Sequence, residues 1–277
     1  MNFCIRLHFL FTNGARNAQQ GNTMTILQSI FLGLLQGLTE FLPVSSSGHL
    51  LLAQKLFGIE ADLFFDVMLH LGTLFAVVVA MRKTLFQTIA HPIADKRFRY
   101  VAIACIPTFA IAAVVHFFVP EATLNLFLPL GFAATIVLIV LSAKLGKPTL
   151  RLQETGLLPI IVTGVVQGIA VCPGLSRSGS TVSTMKLFGV NSTDSAEFSF
   201  ILSVPVILGA VAVEGYKALK TAAHAVNWLC VGVGVVTAFV SGLIAVYTVM
   251  RAVKRGNWIA FAVYLALPLV TSLIVMF

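Results

Sequence analysis

Charged residues are scarce in this sequence: only 10% of its 277 residues are Asp, Glu, Lys or Arg. Soluble globular domains carry about a quarter charged residues. This chain is instead 58% hydrophobic, with a mean hydropathy of +0.97. Apolar runs of about 20 residues, long enough to span a membrane as helices, recur along its length. The composition excludes a soluble domain and predicts an all-α polytopic membrane protein.

Cysteine and acidic residues are also few. The four cysteines lie far apart without CxxC spacing, which argues against a disulfide framework or a metal-binding cysteine cluster. Lys and Arg outnumber Asp and Glu by 18 to 10. The basic residues fall in short loops between apolar runs, a distribution typical of the cytoplasmic side of membrane proteins. We therefore predict no nucleic-acid partner.

The first 23 residues contain no acidic residue, an apolar run too short to span a membrane, and no convincing signal-peptide cleavage site. We interpret residues 1–23 as an extension before Met24, arising either from an upstream start codon or as a loosely ordered segment.

Two apolar segments, residues 26–57 and 157–188, are interrupted near the middle by Pro, Gly and Ser. Each interruption predicts a re-entrant hairpin of two short helices rather than a full span. Six uninterrupted runs predict full transmembrane helices at residues 64–82, 98–119, 123–144, 194–215, 225–250 and 256–276.

The two interrupted segments repeat each other. Gln36 and Ser45 recur as Gln167 and Ser176, each 131 positions later, and many neighbouring positions match at the same offset. Three spans in each half would invert the second half relative to the first. The sequence thus predicts an inverted-topology repeat of residues 24–150 and 151–277. The basic loops predict that both termini face outward and that the polar parts of the hairpins meet near the midplane.

The second interruption, VCPGLSRSGST, is typical of a phosphate-binding site. Serine hydroxyls, backbone N–H groups, an arginine fork and a helix N-terminus all favour an anion. Extension of the arginine to the membrane surface is the alternative, but that suits Lys186 better than Arg177, which follows a helix-breaking Pro-Gly. The predicted phosphate ligands here are Gly174, Ser176, Arg177, Ser178 and Thr181.

The first interruption, QGLTEFLPVSSSGH, supplies a carboxylate. Glu40 lies one helical turn after Gln36, on the same face. A buried carboxylate there can hold a divalent cation against phosphate oxygens or act as a general base. The alternative is that Glu40 only forms an ion pair with Arg177 that locks the hairpins together.

The same stretch contains three serines and a histidine. Ser46 is the best candidate nucleophile because it stands where the repeat has Arg177, whereas Ser45 and Ser47 have serine counterparts, as expected of helix caps or turn-forming residues. His49 is predicted to protonate a leaving phosphate or to orient a serine. Four other polar residues in apolar runs are notable but are left outside the catalytic set: Asp66, His70, His116 and Glu197. Asp66 and Glu197 fall near the starts of predicted spans, where capping and packing explain them.

These motifs, together with AEFSFILSVPVILGA at residues 196–210, resemble the undecaprenyl-diphosphate phosphatase family of the bacitracin-resistance type, from Met24 onward. The resemblance implies an enzyme that hydrolyses undecaprenyl diphosphate to undecaprenyl phosphate and inorganic phosphate. It places that reaction at the outer face of the bacterial cytoplasmic membrane, where it recycles the lipid carrier of peptidoglycan synthesis and confers bacitracin resistance.

The resemblance also implies a loosely bound divalent cation, Mg²⁺ or Ca²⁺, with Glu40 as its ligand. It implies two sets of residues. The catalytic set is Glu40, Ser46, His49 and Arg177, and the substrate-binding set is Gln36, Ser45, Ser47, Gly174, Ser176, Ser178 and Thr181.

Gln36 departs from the family pattern, because many members carry Glu there. A glutamine can orient water or a phosphate oxygen, but it cannot be a charged metal ligand or a base. Any mechanism that needs two carboxylates on this helix face is therefore in doubt for this chain.

The competing function is a polyprenyl-phosphate flippase or an ion-coupled transporter, since transporters also build midplane sites from broken helices in inverted repeats. The expected partners are the polyprenyl diphosphate and membrane lipid. A homodimer is also considered, because the sequence does not determine the oligomeric state.

Overall fold

The computed structural model describes residues 24–59, 63–92, 94–220, 227–256 and 258–276, so the predicted N-terminal extension lies outside the described residues. Within these ranges the chain is helical, apart from loops and one isolated β-bridge between Leu150 and Val190. This confirms the all-α prediction.

The first interrupted segment folds as helix α1 (Ile26–Phe41) followed by α2 (Ser46–Phe57), joined by residues 42–45, which we call the first junction. Thr25 begins α1 through a capping box with Gln28. The rest of the first half forms α3 (Leu63–Ala80), α4 (Arg82–Ala90), α5 (Lys96–Phe118), α6 (Glu121–Leu126) and α7 (Leu128–Leu145).

The second interrupted segment folds in the same way, as α8 (Leu157–Ile169) and α9 (Arg177–Leu187) joined by residues 170–176, the second junction. A single 3₁₀ turn, Leu152–Glu154, precedes it. Three long helices complete the chain: α10 (Ser192–Lys220), α11 (Trp228–Arg255) and α12 (Ile259–Met276).

Among the described residues, five helices are long and apolar enough to cross a membrane. They comprise Lys96–Phe118, Leu128–Leu145, Ser192–Val213, Trp228–Lys254 and Ile259–Met276. Phe64–Ala80 with Arg82–Ala90 makes a sixth if this pair, bent by 79°, is one span. The chain is a multi-pass membrane protein.

The structure bears out one predicted span and corrects another. Residues 64–82 correspond to α3, and Arg82 then begins α4, a helix of low hydropathy that turns sharply away from α3. Residues 123–144 were expected to form one helix, but the segment divides at Phe127 into α6 and α7. Pro129 lies in the first turn of α7, where a missing N–H costs nothing, so it favours a new helix start.

The first helix of each interrupted segment packs against a long helix from the other half of the chain. Helix α1 lies on α11, where Ser241 Oγ donates to the Gly33 carbonyl at 3.4 Å. Helix α8 lies on α5, where Thr108 Oγ1 donates to the Gly164 carbonyl at 2.9 Å. A Cβ added to Gly37 would lie 2.6 Å from the Ala238 carbonyl oxygen. The GxxxG pairs Gly33/Gly37 and Gly164/Gly168 therefore allow these helices to approach closely.

The largest buried cluster surrounds the first junction. Phe41 and Val44 lie in it with Phe132 from α7 and Phe200 from α10. The rings of Phe41 and Phe200 meet edge to face with centroids 5.3 Å apart. Close packing of this kind fixes side chains in single rotamers, so the polar groups beside the junction are held in place by the core.

Candidate functional site

Each junction contacts the first turn of the helix that follows the other junction. Ser178 Oγ, at the start of α9, donates to the Leu42 carbonyl of the first junction at 2.8 Å. Gly179 lies so close to Pro43 that an added Cβ would be 3.2 Å from the proline Cβ, and a Cβ on Gly48 would be 3.1 Å from Gly174 Cα. The polar residues of both interrupted segments therefore belong to one site.

Serine caps begin the second helix of each pair in the same way. Ser45 Oγ accepts from Gly48 N at 3.3 Å, and Ser176 Oγ accepts from Gly179 N at 3.1 Å. Each capping hydroxyl also lies near the serine two residues later, 3.4 Å from Ser47 Oγ and 3.3 Å from Ser178 Oγ. The predicted role of Ser45 and Ser176 as caps is confirmed.

The backbone at both junctions adopts left-handed conformations. Ser45 has φ = 68° and is the one non-glycine residue in the described ranges with a positive φ. Such a conformation costs about 1–3 kcal/mol and persists only where surrounding contacts impose it. Gly174 has φ = 85°, which only glycine adopts readily. Thr135 on α7 holds this turn, because its hydroxyl accepts from Ser176 N at 2.9 Å and lies 3.1 Å from the Gly174 carbonyl.

Glu40 is the centre of the site. Its Oε1 accepts a hydrogen bond from Arg177 Nη2, which joins the two helix pairs by an ion pair. Its Oε2 accepts from Gln36 Nε2 at 2.8 Å and from Ser46 Oγ at 2.6 Å. The structure thus brings Gln36, Glu40, Ser46 and Arg177 into direct contact.

Burial differs sharply within this cluster. The Glu40 side chain is only 1% exposed, whereas the Arg177 side chain is 20% exposed. A buried carboxylate requires compensating donors, and Arg177, Gln36 and Ser46 supply them. A phosphate approaching from outside the protein would meet the arginine before the carboxylate.

His49 has both ring nitrogens occupied away from the carboxylate. Its Nδ1 lies 2.7 Å from the Ser45 carbonyl, which can only accept, so Nδ1 carries a proton. Its Nε2 lies 2.9 Å from Tyr264 Oη on α12, and the two rings stack with 6° between their planes. These contacts make His49 a link between the strained Ser45 and α12.

Thr181 turns its hydroxyl toward the protein interior, where it donates to the Arg177 carbonyl at 2.9 Å and lies 2.6 Å from Ser199 Oγ. It is fully buried, as is Ser180 beside it. Thr181 therefore holds the first turn of α9, on which Arg177 stands, against α10.

Sequence reasoning left His70 outside the catalytic set, yet the structure places its Nε2 3.5 Å from Glu40 Oε2. Its Nδ1 lies 2.8 Å from the Asp66 carbonyl, one turn earlier on α3. A histidine in an apolar span is itself a sign of function, and this was the signal available in the sequence.

Glu40 and His70 are the strongest metal-binding groups beside the junctions. The described residues hold no cluster of three or more His, Cys, Asp or Glu side chains suited to a metal ion. The described side chains alone do not enclose a cation, but a carboxylate and an imidazole suit one that completes its coordination with phosphate oxygens and water, as Mg²⁺ commonly does. These donors are compatible with the divalent cation that the family resemblance implies.

The chain matches a family model described as bacitracin resistance protein BacA over residues 29–269. It is 36% identical to an undecaprenyl-diphosphatase of Halothermothrix orenii over 247 residues, covering 87% of this chain and 94% of the relative. It is also 36% identical to the undecaprenyl-diphosphatase of Bacteroides fragilis over 265 residues, covering 91% and 98%. A third relative of that name, from Rubrobacter xylanophilus, is 36% identical over 259 residues, covering 87% and 94%.

Proposed function

This chain belongs to the bacitracin resistance protein BacA family, and from that premise we propose that it hydrolyses undecaprenyl diphosphate to undecaprenyl phosphate and inorganic phosphate. The relatives all bear the name of this hydrolase, and the chain matches them over nearly their whole length. That favours an enzyme over the competing flippase or transporter.

One observation carries the mechanism: a buried carboxylate, Glu40, contacts at once a hydroxyl from its own helix pair and an arginine from the other. Phosphoryl transfer needs a base beside the nucleophile and positive charge around the phosphate oxygens. The cluster has both.

The reaction begins when the terminal phosphate binds Arg177, whose planar guanidinium donates in pairs to phosphate oxygens. Arg177 thereby breaks its contact with Glu40 and binds the substrate phosphate instead, which leaves Glu40 able to accept a proton. The attacking hydroxyl, from Ser46 or from a water beside it, gives its proton to Glu40 as the oxygen bonds to phosphorus. The phosphorus–bridging oxygen bond breaks, and that oxygen leaves with undecaprenyl phosphate.

If Ser46 attacks, a water then hydrolyses the phosphoserine and Ser46 recovers a proton. Arg177 stabilises the charge on the phosphoryl oxygens throughout. Ser176 and Ser178 sit at the N-terminus of α9, whose unpaired N–H groups favour the same anion. His49 positions the first junction and does not need to exchange a proton itself.

A divalent cation held by Glu40 would neutralise charge on the diphosphate oxygens. Gln36 carries no charge but donates to Glu40 Oε2 at 2.8 Å, so it orients the carboxylate. A single-carboxylate site is therefore sufficient in this chain.

We further propose that α1–α2 and α8–α9 are re-entrant hairpins of an inverted repeat, residues 24–150 and 151–277. The identical serine caps and the reciprocal packing of α1 on α11 and α8 on α5 support it. Basic residues such as Lys83, Arg99 and Lys147 would then face the cytoplasm of a bacterium, with the site opening to the outer leaflet of its inner membrane.

Phosphate release tests the function directly. Purified full-length protein in detergent is given undecaprenyl diphosphate and Mg²⁺, and inorganic phosphate is measured. We expect turnover that Arg177→Ala lowers at least about 10²-fold and that Arg99→Ala, a change at an exposed arginine, preserves. Absence of phosphate release, together with translocation of a labelled headgroup in liposomes, would favour the transporter.

A further inference from the structure

His70 is held so that one ring nitrogen faces Glu40. The Asp66 carbonyl can only accept, so its partner, His70 Nδ1, carries the ring proton of the neutral imidazole. The lone pair then lies on Nε2, the atom 3.5 Å from Glu40 Oε2. Metal-ligating histidines characteristically donate their other ring N–H to a carbonyl or carboxylate, which fixes the ring in this way.

The separation of the two atoms is informative. At 3.5 Å it exceeds the range of a well-formed N–H···O hydrogen bond, about 2.7–3.2 Å. Two ligands each about 2.1 Å from one ion lie roughly 3.0 Å apart in octahedral geometry and roughly 3.4 Å apart in tetrahedral geometry. The Glu40–His70 spacing is close to the separation of two ligands of a shared cation.

Gln36 provides a third donor. It is fully buried, and its Oε1 has no hydrogen-bond partner within the described part of the chain. Its Nε2 donates to the same Glu40 oxygen that faces His70. Rotation of the amide would present Oε1 to a cation at Glu40 Oε2, which would satisfy the unpartnered oxygen. Arg177 contacts the other carboxylate oxygen, Oε1, so a cation at Oε2 would share that oxygen only with the hydroxyl of Ser46, which donates to it at 2.6 Å.

We propose that His70 Nε2, with Glu40 Oε2 and Gln36 Oε1, binds the divalent cation of this site. This inference rests on the proposed function, because diphosphate oxygens and water would complete the coordination. A neutral imidazole takes the place of the second carboxylate that the family pattern has at position 36. Imidazole is a poor ligand for Ca²⁺, so the site favours a nitrogen-accepting ion such as Mn²⁺ over Ca²⁺.

Pulsed electron paramagnetic resonance of Mn²⁺ tests the ligand set without turnover. Full-length protein in detergent is loaded with Mn²⁺ and methylene diphosphonate, a non-hydrolysable diphosphate. We expect an imidazole ¹⁴N coupling that becomes a ¹⁵N coupling when the protein is grown with ¹⁵N-histidine. His70→Gln should abolish the coupling and raise the Mn²⁺ Kd at least about tenfold. The matched control, His116→Gln in α5, should retain the coupling and the wild-type Mn²⁺ Kd.

A histidine coupling absent from the wild-type protein, or retained in His70→Gln, would overturn the proposal. The first of these readings does not depend on whether the variant folds. Phosphate release measured on the same preparation distinguishes failure of the His70 ligand assignment from failure of the proposed phosphatase function. Wild-type protein that releases phosphate without a histidine coupling refutes only the ligand assignment, whereas a coupling without phosphate release supports the ligand assignment and refutes the phosphatase.

Discussion

Arg177 and Glu40 form an ion pair across the contact of the two helix pairs, although they stand 137 positions apart in the chain. Removing one partner of a buried ion pair is destabilising, because the other charge loses its compensation. Glu40 keeps Gln36 and Ser46 as donors when the arginine is removed, so the fold should tolerate a change that the chemistry does not.

The first prediction concerns Arg177. Arg177→Ala should lower kcat about 10²–10³-fold, the usual effect of losing one charge-stabilising donor. Arg177→Lys should recover only part of this loss, because an ammonium lacks the planar fork. Steady-state phosphate release measures both. If the pair serves only to lock the helix pairs, the neutral double variant Arg177→Met with Glu40→Gln would stay active, which would contradict a catalytic role.

Ser46 should be the hydroxyl on which turnover depends. Its Oγ donates to Glu40 at 2.6 Å, the arrangement of a nucleophile and its base. We expect Ser46→Ala to lower kcat by at least about 10²-fold, and Thr248→Ala, which removes an exposed hydroxyl on α11, to change kcat little. Mass spectrometry of protein quenched during turnover should detect phosphoserine at residue 46. A Ser46→Ala protein with most of its activity would instead make water the nucleophile.

The link between His49 and Tyr264 should act through structure. Tyr264→Phe removes the partner of His49 Nε2 but keeps the stacked ring, so it should cost about 1 kcal/mol of stability. Thermal unfolding in detergent measures this for Tyr264→Phe, His49→Gln and the double variant. The effects should be non-additive, since both single changes break one interaction. Additive losses would show that the two residues act independently.

Gly131 on α7 allows the second junction to pass close by. A Cβ there would lie 2.5 Å from Leu175 N and 2.7 Å from the Gly174 carbonyl carbon. Gly131→Ala should therefore destabilise the protein by about 1–3 kcal/mol and reduce turnover by displacing Arg177.

Gly232→Ala is the matched control for Gly131→Ala. Gly232 is also within a helix, α11, but an added Cβ there meets nothing within 4 Å. Replacing this glycine should leave activity unchanged and slightly raise helix stability. Equal loss of activity in the two variants would show that the close approach at Gly131 is unimportant.

Local patterns in the sequence were sufficient to predict the short helices. Pro43 and the Pro173–Gly174 pair mark the breaks, and the serines that follow each break mark the next helix start. Because these signals act within a few residues, predicted and observed limits of both interrupted segments agree closely. The repeat added the expectation that the two polar stretches come together, and the contact of Ser178 with Leu42 bears this out.

The partners of the two histidine rings depend on tertiary contacts that the sequence could not predict. His49 was predicted to protonate a leaving phosphate or to orient a serine, and the sequence did not show that Tyr264, 215 positions later, would contact its second ring nitrogen. His70 was left outside the catalytic set, and only the approach of α3 to α1 brings it to Glu40. The orientation of a ring depends on neighbours from distant helices, and no periodicity within a single segment reports it.

The reciprocal packing of the two halves has a consequence for biogenesis. During synthesis, Glu40 is complete long before Arg177 exists. At about 5–20 residues per second, the intervening 137 positions take roughly 7–27 s to translate. Helix α1 waits longer still for α11, since Gly33 and Ser241 are 208 positions apart. Until then, the nascent first half holds a carboxylate that lacks its arginine and a glycine face that α11 has not yet covered.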